Sequence, residues 1–203
     1  MSNVSTQLQK LVIASGNAGK VEEFRAYLAD LGLALIPKPN SIDVEETGIT
    51  FIDNARLKAS QVAIATCEWA IADDSGLEVI ALNGAPGVLS ARYADTDRDR
   101  INRVLSELTN STNRDAQFVC AIAIASPDGA IVAEAVGTCQ GSIAIAPRGH
   151  SGFGYDPIFF VPELQQTFGE ISSEIKAQIS HRARALEILH SKLKSLVAPH
   201  YSV

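Results

Sequence analysis

The feature that most constrains this chain is an apolar run that leads through a glycine turn into a helical pattern. Residues 11–14 are apolar, Ser-Gly-Asn follows, and apolar side chains then recur every three or four positions as far as residue 31. This spacing places them on one face of an α-helix, which Gly32 is suited to end. A strand, a tight turn and a helix in this order predict an α/β fold.

The next segments predict a second helix, followed by acidic side chains at the end of a strand. Residues 50–66 carry apolar side chains on one helical face, and Thr50 with Asp53 imitates a capping box. Residues 69–72 predict a buried strand that ends in Asp-Asp-Ser-Gly, and residues 77–82 predict a further strand. We therefore expect a pair of carboxylates at a strand end, where ligands bind in open α/β sheets.

The later part of the chain predicts antiparallel strands. Residues 118–125 and residues 130–138 flank Ser-Pro-Asp-Gly, a turn sequence that favours an antiparallel hairpin. Because this hairpin joins a chain that begins with an α/β pattern, the sheet is expected to be mixed and not purely parallel. The other predicted elements are a strand at residues 157–161 and helices near residues 99–108, 173–178 and 180–197.

Length and composition indicate one globular unit. A chain of 203 residues with 46% hydrophobic content suits a single domain with a sizeable core. We assign residues 1–10 to a flexible N-terminal extension and residues 11–198 to one domain. The extension lacks the apolar region of a signal peptide, and no apolar run approaches the ~18 residues of a membrane span. We expect no association with a membrane.

Charge and cysteine content disfavour several other classes of protein. The formal net charge of -6, without a basic stripe, argues against a protein that follows a nucleic-acid backbone. Cys67, Cys120 and Cys139 form no CxxC pair, which indicates reduced thiols and neither a zinc site nor a disulfide framework. We expect a cytoplasmic protein without a nucleic-acid partner.

The turn after the first strand is a candidate phosphate-binding loop. Unpaired N–H groups and the dipole at a helix N-terminus favour anions, and glycines let the backbone approach them closely. It is not a Walker A loop, because Ala14 and Val21 stand where that motif needs glycine and Ser or Thr. The alternative is a glycine turn with a solvated lysine. The candidate loop comprises Ser15, Gly16, Asn17, Ala18, Gly19 and Lys20.

Two acidic pairs are candidates for a metal site. Glu45 and Glu46 precede the second helix, and Asp73 and Asp74 follow a predicted strand. Mg²⁺ prefers oxygen ligands and commonly takes one or two carboxylates, with waters and substrate phosphate oxygens as the other ligands. A neighbouring carboxylate could also orient or deprotonate an attacking water. The alternative for each pair is a solvated loop.

Two later segments are candidates for binding a nucleobase. Gly-Phe-Gly-Tyr-Asp-Pro begins at residue 152, where Phe153 could stack on a base and Asp156 could accept a hydrogen bond from a purine N1–H. Arg182 and backbone amides at the start of the last helix could donate to a purine O6. The alternatives are a tight turn that completes the core and a serine N-cap followed by solvated charges.

Six motifs together resemble the inosine triphosphate pyrophosphatase family. The resemblance covers the chain from about residue 11 to residue 196, with Ser15 where relatives often have Thr, Asp53 where Glu is commoner, and His150 in a loop position that is usually smaller. It implies an elongated, two-lobed α/β fold in which a long mixed sheet floors a central cleft, and a homodimer. The motifs are SGNAGK, EETGITFIDNARLKA, AIADDSGLEV, GAPGVLSARYA, GFGYDPIFF and ISHRARAL.

The resemblance also implies roles for individual residues. The loop at Ser15, Asn17 and Lys20 would bind the triphosphate. Glu46 and Asp74 would hold Mg²⁺, with Asp74 as the catalytic base and Asp73 as the next candidate for either role. Further residues expected at the substrate are Lys58 and Lys176 near the phosphates, Ser75 beside the metal acids, and Phe153, Gly154, Tyr155, Asp156, His181 and Arg182 around the base.

The implied activity is hydrolysis of non-standard purine nucleoside triphosphates, such as ITP, dITP and XTP, to a monophosphate and pyrophosphate. In this interpretation water attacks the α-phosphorus with the help of Mg²⁺. Two rival functions stay open at this point. One is a pyrophosphatase for other modified nucleotides, and the other is a non-catalytic sensor that binds the triphosphate without cleaving it.

Overall fold

The computed structural model describes residues 8–197, which form one mixed seven-stranded sheet with helices on both faces. The strands lie in the order β2-β1-β3-β4-β5-β6-β7. They are β1 Lys10–Ile13, β2 Ala34–Pro37, β3 Trp69–Val79, β4 Asp115–Ala125, β5 Ile131–Ile143, β6 Phe159–Val161 and β7 Gln166–Thr167. The helices are α1 Ala18–Leu28, α2 Phe51–Thr66, α3 Asp97–Glu107, α4 Ser173–Ile179 and α5 His181–Leu196.

The predicted strand, turn and helix at the start of the chain are confirmed. β1 leads into α1, whose N-cap is Asn17, and a short 3₁₀ turn continues α1 to Leu31. Gly32 then takes a left-handed conformation with φ of 64°, which glycine adopts without steric cost. β1 pairs in parallel with both β2 and β3, so the carboxyl ends of these strands point to the same side.

The predicted hairpin and second helix are also confirmed. β4 and β5 pair antiparallel along almost their whole length, and β3 pairs antiparallel with β4. The sheet is therefore mixed, as the hairpin indicated. Thr50 is the N-cap of α2 and accepts a hydrogen bond from the Asp53 backbone amide.

The prediction of two short strands around Asp73 and Asp74 was wrong. Residues 69–79 form one continuous strand, in which Asp73 lies opposite Ile122 and Asp74 lies opposite Ala121. Acidic residues and glycine disfavour strands on average, but pairing with β4 and buried partner charges override that preference here. The aspartates thus lie in mid-strand, just past Ile71, where β1 stops pairing with β3.

Three apolar cores place these aspartates at the middle of the molecule. Ile71 belongs to a core between the sheet and α1 and α5, whereas Ala72 belongs to a core under α2 on the opposite face. Leu77 belongs to a third core, farther along the strands, which includes α3 and β6. Side chains alternate between faces along a strand, so Asp73 shares the face of Ile71 and Asp74 that of Ala72.

The described chain begins inside the segment that we assigned to a flexible extension. Leu8 is fully buried and forms a β-bridge with Val197, and Lys10 is the first residue of β1. Residues 8–10 therefore belong to the folded unit, because Leu8 adds apolar surface to the core around α1 and α5. Residues 1–7 lie outside the described residues. Within residues 8–197, no helix is both long and apolar enough to cross a membrane.

Candidate active site

Two adjoining cavities form a cleft at the carboxyl ends of β1 and β2. We call the first the aromatic cavity, because Phe118, Phe153 and Tyr155 line it, and the second the lysine cavity, because Lys20, Lys38 and Lys58 line it. The two cavities meet at shared residues, which are Asn17, Lys20, Glu46 and Ala91. The predicted loop, acidic residues and aromatic segment therefore surround one cleft.

The predicted phosphate loop forms one wall of the lysine cavity. Asn17 caps α1 through its side-chain oxygen, which accepts a hydrogen bond from the Lys20 backbone amide at 3.1 Å. Ser15 Oγ accepts from the Asn17 amide at 3.2 Å, and a Cβ added at Gly16 would meet nothing within 4 Å. The N-terminus of α1 therefore opens toward the cavity, as an anion site requires.

Gly19 connects this loop to the aromatic segment. A Cβ added at Gly19 would lie 2.5 Å from Phe153 Cδ1, so any larger residue would displace the Phe153 ring. The close approach brings the start of α1 and the loop before β6 into contact. The two segments that we predicted to bind phosphates and a base thus lie side by side.

Glu46 and Asp74 share one cation at the junction of the cavities. Lys58 Nζ lies 2.6 Å from Glu46 Oε1 and 3.2 Å from Asp74 Oδ1. The remaining carboxylate oxygens are also held, since Arg92 contacts Glu46 Oε2 at 3.2 Å and Asn54 donates to Asp74 Oδ2 at 3.0 Å. Two carboxylates from separate segments that already face one positive charge are a suitable pair to bind a divalent cation.

A metal ion at this pair would need ligands from outside the protein. Within residues 8–197 no cluster of three or more His, Cys, Asp or Glu side chains could hold a metal. Mg²⁺ commonly binds through one or two carboxylates, with waters and substrate phosphates as further ligands. The pair therefore fits a metal that binds together with a phosphorylated ligand.

The environment of Asp74 makes it a better proton acceptor than an exposed aspartate. Burial raises the pKa of Asp74 above its ordinary value, although the charge of Lys58 opposes the rise. Burial disfavours the Lys58 ammonium, but Asp74, Asp73 and Glu46 together raise the pKa of Lys58. Lys58 thus stays charged between the two carboxylates.

Asp73 lies in a different environment, which we call the buried network. Its Oδ2 contacts Arg182 Nη2 at 2.7 Å and Lys20 Nζ at 3.0 Å, and it accepts a hydrogen bond from Ser75 Oγ. Burial opposes ionisation of Asp73, but Lys20 and Arg182 hold its pKa well below the usual value. The Arg182 guanidinium continues the network to Glu23, and only 2% of the Arg182 residue is exposed.

The aromatic cavity is built around Phe153 and a second lysine. Lys176 Nζ lies 4.5 Å from the Phe153 ring centroid and 2.6 Å from Asp156 Oδ2, which also accepts from the Phe153 amide. Glu23 Oε1 contacts the same ammonium at 3.1 Å. Lys176 therefore lies at the Phe153 end of the cleft, whereas we expected it near the phosphates with Lys58. The opposite charges of Asp156 and Glu23 hold it there.

Two further predicted residues, Tyr155 and His181, are held mainly by the fold. Tyr155 is buried, and its hydroxyl donates to the Ser90 carbonyl at 2.8 Å. His181 stacks on Phe118 with ring centroids 4.7 Å apart, and burial holds its pKa well below the usual value. Both residues line the aromatic cavity, and these contacts fix their positions within the fold.

The predicted site residues line this cleft, except that Gly19 and Asp73 only contact residues that do, and Ala18 lines neither cavity. The cleft also contains residues that we missed. Glu23 follows Lys20 by three positions, so helical spacing alone could have placed both on one face of α1. Asn54 lies inside one of the six motifs, but no local pattern indicates its role, because its partner Asp74 is twenty positions away. Further missed residues include Lys38, Arg92, Asp97, Arg100 and Phe118.

A mixed α/β sheet whose cleft combines an open helix start, a carboxylate pair and an aromatic pocket is the arrangement expected of a nucleotide-binding protein. The model of the Ham1 family matches residues 11–192, and the chain belongs to this family.

The relatives share most of their length with this chain. A protein of Nostoc sp. named dITP/XTP pyrophosphatase is 57% identical over 188 residues, which is 93% of this chain and 96% of the relative. A Synechocystis protein of the same name is 54% identical over 88% of this chain and 92% of its own length. The Ham1 proteins of Coxiella burnetii and Staphylococcus aureus superpose with TM-scores of 0.84 and 0.82, at 44% and 46% identity, and each match covers 92% of this chain and 98% of the other.

Proposed function

We propose that this protein hydrolyses dITP, ITP and XTP to the nucleoside monophosphate and pyrophosphate, and so keeps these nucleotides out of DNA and RNA. The observation that carries the proposal is the pair of Glu46 and Asp74, which meet one cation where the lysine cavity joins the aromatic cavity. A triphosphate bound across the junction presents its α-phosphorus to that pair. The names of the curated relatives support the same substrate class.

Glu46 and Asp74 would hold Mg²⁺, which supplies charge neutralisation on the phosphates when it is bound. The protein's own groups do the rest. The start of α1 and Lys20 bind phosphate oxygens, and Lys58 neutralises charge beside the reacting group. Burial of this junction strengthens each of these electrostatic interactions.

Asp74 acts as the general base. It takes a proton from a water as the water oxygen bonds to the α-phosphorus, and the bond to the bridging oxygen breaks with its electron pair leaving on pyrophosphate. Asp73 is less suited to this role, because Lys20 and Arg182 stabilise its ionised form and leave it a weaker base. The environment of Asp74, where burial raises the pKa, favours proton transfer.

Base selection takes place in the aromatic cavity. Phe153 stacks on the base, and hypoxanthine or xanthine then offers an O6 acceptor and an N1–H donor, whereas adenine reverses this pattern. Both Arg182 Nη atoms are engaged by carboxylates, so the backbone amides at the start of α5 are better placed to donate to O6. Asp156 accepts from Lys176 and the Phe153 amide, which holds Phe153 in position.

The deciding experiment measures pyrophosphate release from ITP, XTP, GTP and ATP with Mg²⁺, and compares kcat/KM. We expect ITP and XTP to be preferred, with pyrophosphate as the product and activity lost on addition of a chelator. Release of inorganic phosphate and a diphosphate would contradict the proposal. A sensor would bind ITP and release nothing, and a pyrophosphatase for other modified nucleotides would prefer another member of a wider panel.

We further infer that the protein works in the cytoplasm as a homodimer and without a nucleic-acid partner. The net charge of -6 supports the last part, since nucleic-acid binding requires clustered cations. The family resemblance supports the dimer. Light scattering coupled to gel filtration should give twice the mass of the 203-residue chain, and a monomer mass would contradict the dimer.

A further inference from the structure

The lysine cavity contains one cation that the mechanism above does not use. Lys38 directly follows β2, as the phosphate loop follows β1, and its backbone amide donates to the Ile13 carbonyl at 3.1 Å. The carboxyl ends of these parallel strands therefore bring Lys38 and the loop to the same side of the sheet, where ligands bind in open α/β folds.

Lys38 differs from the other two lysines of the cavity in its partners. Lys20 is paired with Asp73, and Lys58 is paired with Glu46 and Asp74. Among residues 8–197 no carboxylate lies within 4.0 Å of Lys38, whose ammonium donates only to the neighbouring Ile42 carbonyl. Asp43 lines the same end of the cavity but forms no ion pair with it. No carboxylate of the described residues therefore neutralises the positive charge of Lys38.

The position of Lys38 along the cleft identifies the group that it can reach. The aromatic cavity holds the base, and Glu46 and Lys20 mark the junction where the α-phosphorus reacts. A triphosphate that continues past this junction extends its outer phosphates into the lysine cavity. Lys38 lines this cavity but not the aromatic cavity. An unneutralised ammonium at that end matches the high negative charge of the terminal phosphate.

We propose that Lys38 binds the terminal phosphate of the triphosphate and, after cleavage, the pyrophosphate product. The inference rests on the proposed function. Lys38 is a binding residue for the leaving half of the substrate and contacts neither the base nor the monophosphate. Its loss weakens binding of pyrophosphate and of intact triphosphate, and leaves binding of the monophosphate unchanged.

The test compares product inhibition by inorganic pyrophosphate and by inosine monophosphate during ITP hydrolysis, at saturating Mg²⁺. Lys38→Gln removes the charge but keeps a donor for the Ile42 carbonyl, and Lys38→Arg keeps the charge. Lys10→Gln is the matched control, because Lys10 forms an exposed pair with Glu68 outside the cleft. Melting temperatures check that all three variants fold.

For Lys38→Gln we expect the inhibition constant of pyrophosphate and the KM for ITP to rise about tenfold or more, the effect of one lost hydrogen bond to a charged group. The inhibition constant of the monophosphate should stay unchanged, and Lys38→Arg should retain most of the pyrophosphate affinity. Equal changes for both products, or a pyrophosphate constant like that of Lys10→Gln, would overturn the inference. If Lys38→Gln fails to fold, a loss of pyrophosphate affinity in Lys38→Arg as large as a tenfold change would also overturn it. Absence of pyrophosphate release by the wild-type protein would instead overturn the proposed function.

Discussion

Two neighbouring residues of β3 lie in opposite chemical environments. Asp73 faces the buried network, where Lys20 and Arg182 neutralise it and none of its surface reaches solvent. Asp74 faces the junction of the cavities, where it shares Lys58 with Glu46. Because side chains alternate along a strand, one position separates a carboxylate held in the buried network from the one that we propose as the general base. The comparison teaches that a pair of identical residues need not share a function.

The largest expected effect is on catalysis, at Asp74. Asp74→Asn keeps the shape of the side chain but removes the proton acceptor and a charged ligand, so kcat for ITP should fall by about 10²–10⁴. The melting temperature should change little, because Asn can still bond to Asn54 and lies beside a partly open cavity. Steady-state kinetics and thermal denaturation on the same sample check both parts. Retention of most of the activity would move the base assignment to another residue.

Asp73 should show the reverse pattern, with its main effect on stability. Asp73→Asn removes one of the two carboxylates that pair with the buried Arg182. Breaking a buried ion pair costs about 3–5 kcal/mol. Urea denaturation measures the loss in the free energy of unfolding. The control is Asp30→Asn, whose exposed pair with His190 should contribute about 0–1 kcal/mol. Similar losses for the two variants would mean that the buried network does not anchor the fold.

A smaller effect is expected at the other end of the aromatic cavity, where Phe153 lies. Phe153→Ala removes the ring on which a base would stack, a contribution of about 1–3 kcal/mol. The KM for ITP should therefore rise by about 5- to 150-fold, with a smaller change in kcat. Phe153→Tyr keeps the ring and should behave like the wild type. An unchanged KM in Phe153→Ala would remove Phe153 from the binding site.

The smallest expected effect is on the way in which the free energy of unfolding depends on pH, through the buried His181. Burial, together with Arg182, holds the pKa of His181 well below the value of about 6.5 that it has in the unfolded chain. Above that pH both states are neutral at His181, and no stability depends on it. As the pH falls below it, the unfolded chain binds a proton that the folded state refuses, so the free energy of unfolding decreases.

His181→Phe tests this pH dependence, because the ring still stacks on Phe118 but cannot titrate. Between pH 7 and about pH 5.5 the free energy of unfolding should fall by about 1 kcal/mol more in the wild type than in the variant. This is the size expected when only the unfolded chain binds a proton over about one pH unit. The measurement is urea denaturation at the two pH values. Equal losses in both proteins would show that His181 does not contribute.

The comparison of the aspartates also shows where prediction from the sequence stops. Local patterns sufficed for β1 with its turn and α1, for the start of α2 at Thr50, and for the hairpin of β4 and β5. Acidic residues and glycine disfavour strands, so Asp-Asp-Ser-Gly predicts the end of a strand. Its true conformation depends on β4 and on Arg182, which lies 109 positions from Asp73, and no local pattern reports such partners.

Individual roles in the site were harder to predict than its membership. The motifs named Arg182 and Lys176 as ligand-binding residues, and both do lie at the cleft. Their ion pairs with Glu23, Asp73 and Asp156 could not be predicted from the sequence, because the segments that carry these residues meet only in the folded state. Residue type thus indicated the chemistry, while burial and pairing placed Asp73 in the buried network and Asp74 at the junction of the cavities.

The most direct test of the account is the fate of oxygen during ITP hydrolysis in ¹⁸O-labelled water. If Asp74 delivers water to the α-phosphorus, mass spectrometry will find one labelled oxygen in inosine monophosphate and none in pyrophosphate. Label in pyrophosphate would mean attack on the β-phosphorus, farther into the lysine cavity. That result would contradict the placement of the reaction at Glu46 and Asp74.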